Sequence, residues 1–106
     1  MPINNAINIQ MPSSFTTASN STELTNSLST TASNPIAANS NRKGLTIWNT
    51  LSVDVFVDAT DTVSSSNYQF KLGANSYYEM PVPIYTGALW IATASGSGSI
   101  EIRELS

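Results

Sequence analysis

The chain of 106 residues contains no cysteine and no histidine. Without cysteine there is neither a disulfide framework nor thiolate chemistry, so the fold has to be held by packing alone. Without histidine the chain lacks the commonest general base and the commonest metal ligand. Serine and threonine are abundant, but a hydroxyl nucleophile needs a neighbouring base, and no residue stands out as one. We therefore predict that the chain has no catalytic activity.

Charged residues are also few, with four basic and seven acidic side chains and a formal net charge of −3. A nucleic-acid-binding protein needs several cations to neutralise phosphates, so nucleic acid is not expected as a partner. No apolar run approaches the roughly 20 residues of a membrane helix, and the first residues do not have the pattern of a secretion signal. We predict a protein that is made in the cytoplasm and does not bind membranes.

The one cluster of carboxylates, Asp54, Asp58 and Asp61, does not have the spacing of a calcium-binding loop. Asp54 and Asp58 are expected on one face of a strand, and Asp61 in the turn that follows. Side chains placed in this way are typical of solvated charges that protect a strand from unwanted edge pairing. The sequence thus predicts no metal site and no cofactor.

The composition changes sharply near residue 41. Residues 1–41 hold 22 Ser, Thr or Asn residues, one aromatic residue, one charged residue and no glycine. Such a segment buries too little apolar surface to fold alone, so we predict an extended arm over 1–41. It is either a disordered tail or a segment that orders on a partner, with its isolated apolar residues in shallow pockets. The candidate anchors are Ile3, Ile7, Ile9, Met11, Phe15, Leu24 and Leu28.

From residue 42 onwards the hydrophobic pattern has a period of two. In Val53–Asp58 the three valines alternate with Asp54, Phe56 and Asp58, as in a strand with one buried face. Short strands of this kind, separated by turn residues, predict an all-β fold. We expect a small antiparallel β-sandwich or barrel of about six to eight strands over 42–106, with a first strand that can begin near residue 35.

A folded part of about 70 residues without disulfides gains little stability from its own core, and this favours oligomerisation, with a trimer as our prediction. Trp48 and Phe56 fall on outward strand positions, where they either form an interface or pack under a loop. Arg42 and Lys43 either pair with a carboxylate of the same or a neighbouring subunit or form an exposed basic corner. The candidate subunit interface comprises Arg42, Lys43, Trp48, Phe56, Tyr77, Tyr78 and Tyr85.

Several short motifs follow one another in a characteristic order. They are Asn41–Asn49, which contains Arg-Lys-Gly-Leu-Thr-Ile-Trp-Asn, then 66–72, Tyr77-Tyr78-Glu79-Met80-Pro81, Tyr85-Thr86-Gly87-Ala88 and a last Ile-x-Glu strand. This series, which covers about residues 39–106, resembles a family of small β-modules in virion proteins of tailed bacteriophages, cyanophages among them.

The resemblance implies a structural module of a phage particle. A chain of this size with a long arm looks most like a capsid decoration, or cement, protein, which stabilises the shell on its outer surface by binding subunits of the major capsid protein. A tail, neck or head-fibre component is an alternative that uses the same module. A second alternative is a carbohydrate-binding module that presents Trp48, Tyr77, Tyr78, Tyr85 or Trp90 to a sugar.

Overall fold

The computed structural model describes residues 17–106, and these form an all-β fold with eight strands in two antiparallel sheets. The predicted fold class is therefore confirmed. No helix in this part of the chain is long and apolar enough to cross a membrane. The strands are β1 (Ser21–Glu23), β2 (Ser33–Ile36), β3 (Gly44–Trp48), β4 (Val55–Asp58), β5 (Phe70–Leu72), β6 (Tyr77–Glu79), β7 (Leu89–Thr93) and β8 (Glu101–Leu105).

Each sheet contains four strands. The first sheet has the order β1-β8-β3-β6, and the second sheet has the order β2-β7-β4-β5. In the first sheet, Trp48 of β3 lies opposite Glu101 of β8 on one side and Tyr77 of β6 on the other. Since a shift of one residue would turn every side chain to the opposite face, this register determines which residues of the first sheet point outward.

The core lies between the two sheets and follows the alternation of the strands. Leu45 and Ile47 of β3 and Val55 and Val57 of β4 are all buried, as their period-two spacing predicts. One continuous cluster joins residues from both sheets and from the connections between them. Its buried members are Leu28, Ile36, Leu45, Ile47, Val55, Val57, Leu72, Met80, Leu89, Ile91, Ile100 and Ile102.

The predicted arm over 1–41 extends too far, because β1 and the connection that follows it are part of the sandwich, whereas β2 lies where a first strand near residue 35 was allowed. Strand β1 pairs with β8, and β2 pairs with β7. Leu28 and Ile36 are 1% and 0% exposed, and Leu24 packs against the same core, so Leu24 and Leu28 are core residues and not anchors for a partner. The other predicted anchors lie outside the described residues, namely Ile3, Ile7, Ile9, Met11 and Phe15.

Asn26 shows how the polar front half is held in the fold. Its Nδ2 donates to the carbonyl of Leu24 at 3.1 Å and to that of Ile100 at 2.8 Å. Its Oδ1 accepts from the backbone N–H of Ile100 at 2.9 Å. The Asn26 side chain thus both donates to and accepts from the backbone of Ile100, as the main chain of a neighbouring strand would do. A polar side chain links the segment after β1 to the start of β8.

Asn49, directly after β3, is fully buried and performs a similar role. Its Nδ2 donates to the carbonyls of Val53, Leu72 and Gly73 at 2.8, 3.0 and 3.0 Å, while its Oδ1 accepts from the N–H of Leu51 at 3.0 Å. A buried amide with every polar atom bonded stabilises one arrangement of the surrounding loops. Asn49, the last residue of the Asn41–Asn49 motif, therefore links the turn before β4 to the end of β5 by hydrogen bonds.

Candidate binding surfaces

Arg42 is the most extensively bonded charged residue that the structure describes, and it is buried, with 3% of its surface exposed. Its Nε donates to Oε2 of Glu104 at 2.7 Å. Its Nη1 donates to the carbonyls of Tyr85 and Gly87 at 2.7 and 2.9 Å, and its Nη2 to that of Ala37 at 2.7 Å. Of the alternatives that the sequence left open, the structure shows Arg42 paired with a carboxylate of its own chain, so its guanidinium is not available to a subunit interface.

The segment that Arg42 binds has a second close contact. The Tyr85 ring lies over Gly87, where an added Cβ would be 2.3 Å from the tyrosine oxygen. Only glycine leaves room for this approach. The Tyr85 hydroxyl then donates to the carbonyl of Ala88 at 3.3 Å. The Arg-Lys-Gly motif, the Tyr-Thr-Gly-Ala motif and the last strand therefore meet around one guanidinium, so these motifs describe the packing of the fold.

Phe56 is also buried, and its predicted role in an interface is wrong. It lies on the outer side of β4, as the alternation indicates, but only 5% of its surface is exposed. It packs with Val63 of the β4–β5 connection and Ala92 of β7, and its ring centroid is 5.1 Å from that of Tyr68. The alternative, in which this residue packs under a loop, is the one that the structure shows.

We expect this burial to separate the stability effects of Phe56 and Trp48. Phe56→Ala should lower the free energy of unfolding by roughly 3–5 kcal/mol, because it leaves a cavity in a small cluster. Trp48→Ala, at a residue that is 47% exposed, should change it by less than about 1 kcal/mol. Urea unfolding followed by circular dichroism measures both values. Equal losses in the two variants would contradict the assignment of Phe56 to the interior.

Trp48 and Tyr77 form an exposed aromatic pair on the outer side of the first sheet. They are 47% and 51% exposed, their ring centroids are 5.7 Å apart, and their planes are inclined by 56°. An open groove of about 390 Å³ runs beside them. We call this surface the aromatic face. The residues that line it are Thr46, Trp48, Thr50, Tyr77, Glu101 and Arg103.

Both signs of charge are present on the aromatic face. Arg103 Nη1 lies 3.1 Å from Oε1 of Glu101 and 3.9 Å from Oε2 of Glu23. Exposed ion pairs of this kind contribute little to stability. These side chains nevertheless determine what the groove can bind. Glu101 supplies a hydrogen-bond acceptor and Arg103 supplies a hydrogen-bond donor, and the two carry opposite charges.

A second surface lies where the edge strands β5 and β6 face each other. Phe70 of β5 and Tyr78 of β6 stack with centroids 4.1 Å apart and planes 17° apart. Burial raises the pKa of the Tyr78 hydroxyl, so the phenol stays uncharged at neutral pH. A pocket of about 90 Å³ opens beside this stack, and we call it the edge pocket. Its lining is Gln69, Phe70, Tyr78, Met80, Pro81, Pro83, Tyr85 and Leu89.

The predicted interface residues thus separate into distinct places. Trp48 and Tyr77 share the aromatic face, and Tyr78 and Tyr85 line the edge pocket. Lys43 is exposed beside the buried Arg42. Sequence reasoning missed Val82, which is 82% exposed between Pro81 and Pro83, two residues that line the edge pocket. The Pro-x-Pro pattern that predicts a loop there was the available signal.

Among the described residues, no three Asp or Glu side chains are grouped so that they could hold a metal ion. The known proteins offer no assignment for either surface. No model of a protein family, no curated protein and no solved structure matches the chain. The function therefore has to be argued from the two surfaces and from the sequence.

Proposed function

We propose that the protein is a non-enzymatic structural subunit of a tailed-phage virion, and specifically a capsid decoration protein. In this role it binds subunits of the major capsid protein on the outside of the shell and associates with itself as a trimer. The order of the motifs from Asn41 to Ala88 supports the class of virion β-modules. The alternative of a tail, neck or head-fibre subunit uses the same module and differs in the partner that it binds.

The observation that carries the proposal is the apolar surface around the edge pocket. Tyr85, which is 44% exposed, lines the pocket with Phe70, Met80 and Leu89, and Val82, which is 82% exposed, lies in the chain between two prolines of that lining. The core between the sheets is complete without these exposed side chains. An apolar rim next to a small apolar pocket is the arrangement that receives an anchor side chain of a protein partner. We assign the edge pocket to the contact with the capsid.

The pocket is also well placed for a partner's backbone. Strands β5 and β6 are each the last strand of their sheet, and no strand within residues 17–106 pairs with their outer edges. An extended segment of a capsid subunit can pair with such an edge while one of its side chains enters the pocket. Lys71 and Glu79, which are exposed on these two strands, would limit pairing with unrelated chains.

Binding to phage particles tests this assignment. The purified protein should attach saturably to shells that lack it, and Val82→Asp should weaken the attachment at least tenfold, since a carboxylate cannot enter an apolar contact without a large desolvation cost. Ser65→Asp is the matched control, because it places the same charge in an exposed turn between β4 and β5. Sedimentation of labelled protein with shells measures both affinities.

The same preparation separates the alternatives. Attachment to isolated tails and not to shells would replace the capsid assignment with the tail assignment. If neither particle bound the protein, the structural role itself would be refuted. Light scattering of the free protein should give the mass of a trimer, and a stable monomer at micromolar concentration would contradict self-association.

A further inference from the structure

We propose that the aromatic face is a binding site for a soluble, neutral oligosaccharide of hexoses with equatorial hydroxyls. This function goes beyond the structural role and uses a different surface from the edge pocket. The assignment rests on Trp48 and Tyr77, which are both about half exposed, and on the four polar side chains that border them.

The lining of the groove matches the two kinds of surface on a pyranose ring. A hexose whose hydroxyls are equatorial presents C–H groups on its faces and hydroxyls around its rim. The C–H faces pack on an aromatic ring, as apolar groups do on the face of a tryptophan. The hydroxyls need donors and acceptors, which Arg103, Glu101 and the Thr46 and Thr50 hydroxyls supply at the border of the rings.

The charge of the groove selects between ligand classes. Arg103 lies 3.1 Å from Glu101 and 3.9 Å from Glu23, so its positive charge is balanced by neighbouring carboxylates. An anionic ligand would meet the carboxylate and a cationic ligand would meet the guanidinium, whereas the vicinal hydroxyls of a sugar can bond to both groups at once. A neutral saccharide is therefore the ligand that fits both groups.

The angle between the rings further defines the form of the saccharide. Coplanar rings would suit the flat surface of a crystalline polysaccharide, but these rings are inclined by 56°. They form a shallow V that holds one sugar unit of a free chain against Trp48, with Tyr77 at its side. The groove beside the rings is open along its length, which leaves room for the neighbouring units of the chain.

The site is held in place by regular structure. Trp48 is on β3, which is paired with β8 on one side and β6 on the other, and its direct partners in the register are Glu101 and Tyr77. The stacking ring, the second ring and the carboxylate therefore lie in one row across three strands. Because the strands fix this row before a ligand arrives, little ordering is needed on binding.

Calorimetric titration with cellotetraose, chitotetraose and maltotetraose tests the proposal. We expect binding of at least one of these probes, and a loss of its affinity of at least tenfold in Trp48→Ala and in Tyr77→Ala. Tyr68→Ala is the matched control, because Tyr68 is 41% exposed but packs on Phe56 of the second sheet, away from the groove. Glu101→Gln, which keeps the shape of the side chain, should weaken binding less than Trp48→Ala.

Several results would overturn the proposal. One is unchanged affinity of the bound probe in Trp48→Ala, and another is unchanged affinity in Tyr77→Ala. A third is no binding of any probe at millimolar concentration. If Trp48→Ala abolished attachment to shells while no sugar bound, the aromatic face would be a protein contact. The proposed structural role is tested separately, since Trp48→Ala is expected to leave shell attachment unchanged.

Discussion

Arg42→Met is expected to lower the free energy of unfolding by roughly 3–5 kcal/mol, which is a large part of the stability of a domain of this size. The methionine can fill the space of the aliphatic stem, but it cannot donate a hydrogen bond. The Glu104 carboxylate, whose side chain is only 12% exposed, would lose its cation. The carbonyls of Ala37, Tyr85 and Gly87 would lose their donors as well.

The neighbouring residue provides the control for this prediction. Lys43→Met removes an adjacent positive charge at an exposed position and should change the free energy of unfolding by less than about 0.5 kcal/mol. Glu104→Gln should fall between the two, because its amide oxygen can still accept from Arg42. Unfolding in guanidinium chloride measures the free energy of unfolding of the three variants and so their order of stability. Equal stability of Arg42→Met and Lys43→Met would contradict the structural role of the guanidinium.

The strands of the second half could be predicted because each has one face in the core. Val55 and Val57 are buried at alternate positions of β4, and this spacing is visible in the sequence. The covering of Phe56 was not visible, because it depends on the loop that brings Val63 over the outer side of the strand. Alternation thus identifies the faces of a strand but does not show whether the outer face meets solvent.

The partner of Arg42 could not be predicted for a similar reason. Glu104 is 62 residues away in sequence, and the two meet only because β8 lies next to β3. The sequence showed two adjacent cations near the start of a strand, of which one is buried and the other exposed. Nothing local distinguishes Arg42 from Lys43. The guanidinium's ability to donate to several carbonyls at once explains why it occupies the buried position.

The aromatic face was predicted residue by residue but not as a site. Trp48 and Tyr77 were both candidates, while their distance of 5.7 Å depends on the pairing of β3 with β6. Tyr78 follows Tyr77 directly in the chain but faces the opposite side, where it stacks on Phe70. A pair of adjacent tyrosines in a strand therefore contributes to two separate surfaces.

The front half escaped prediction because its strands depend more on backbone hydrogen bonds than on apolar side chains. In β1 all three residues are exposed, yet the strand pairs with β8 along its whole length. Composition measures the apolar surface that a segment can bury, and it does not register an edge strand that is added to an existing sheet. Leu28, between β1 and β2, and Ile36, at the end of β2, are the buried apolar residues that pack this segment against the core.

Two truncations give the second large effect. Removal of residues 1–16 should leave a folded protein, because the eight strands and the core described within residues 17–106 are all retained. Removal of residues 1–41 should abolish cooperative folding. It deletes β1 and β2, which pair with β8 and β7, and it exposes the core that Leu28 and Ile36 cover. Each of these two side chains contributes roughly 1.5–3 kcal/mol by burial alone.

Far-UV circular dichroism and thermal unfolding distinguish the two truncated chains. We expect an unfolding transition close to that of the whole protein after removal of 1–16, and no transition after removal of 1–41.

The shorter deletion also tests whether Ile3, Ile7, Ile9, Met11 and Phe15 anchor the arm to a partner. If they do, the folded 17–106 fragment should attach to shells at least tenfold more weakly, since several apolar contacts are lost together. Cooperative unfolding of the 42–106 fragment would show that β1 and β2 are accessory to the sandwich. Undiminished attachment of the 17–106 fragment would leave the edge pocket as the source of affinity for the capsid.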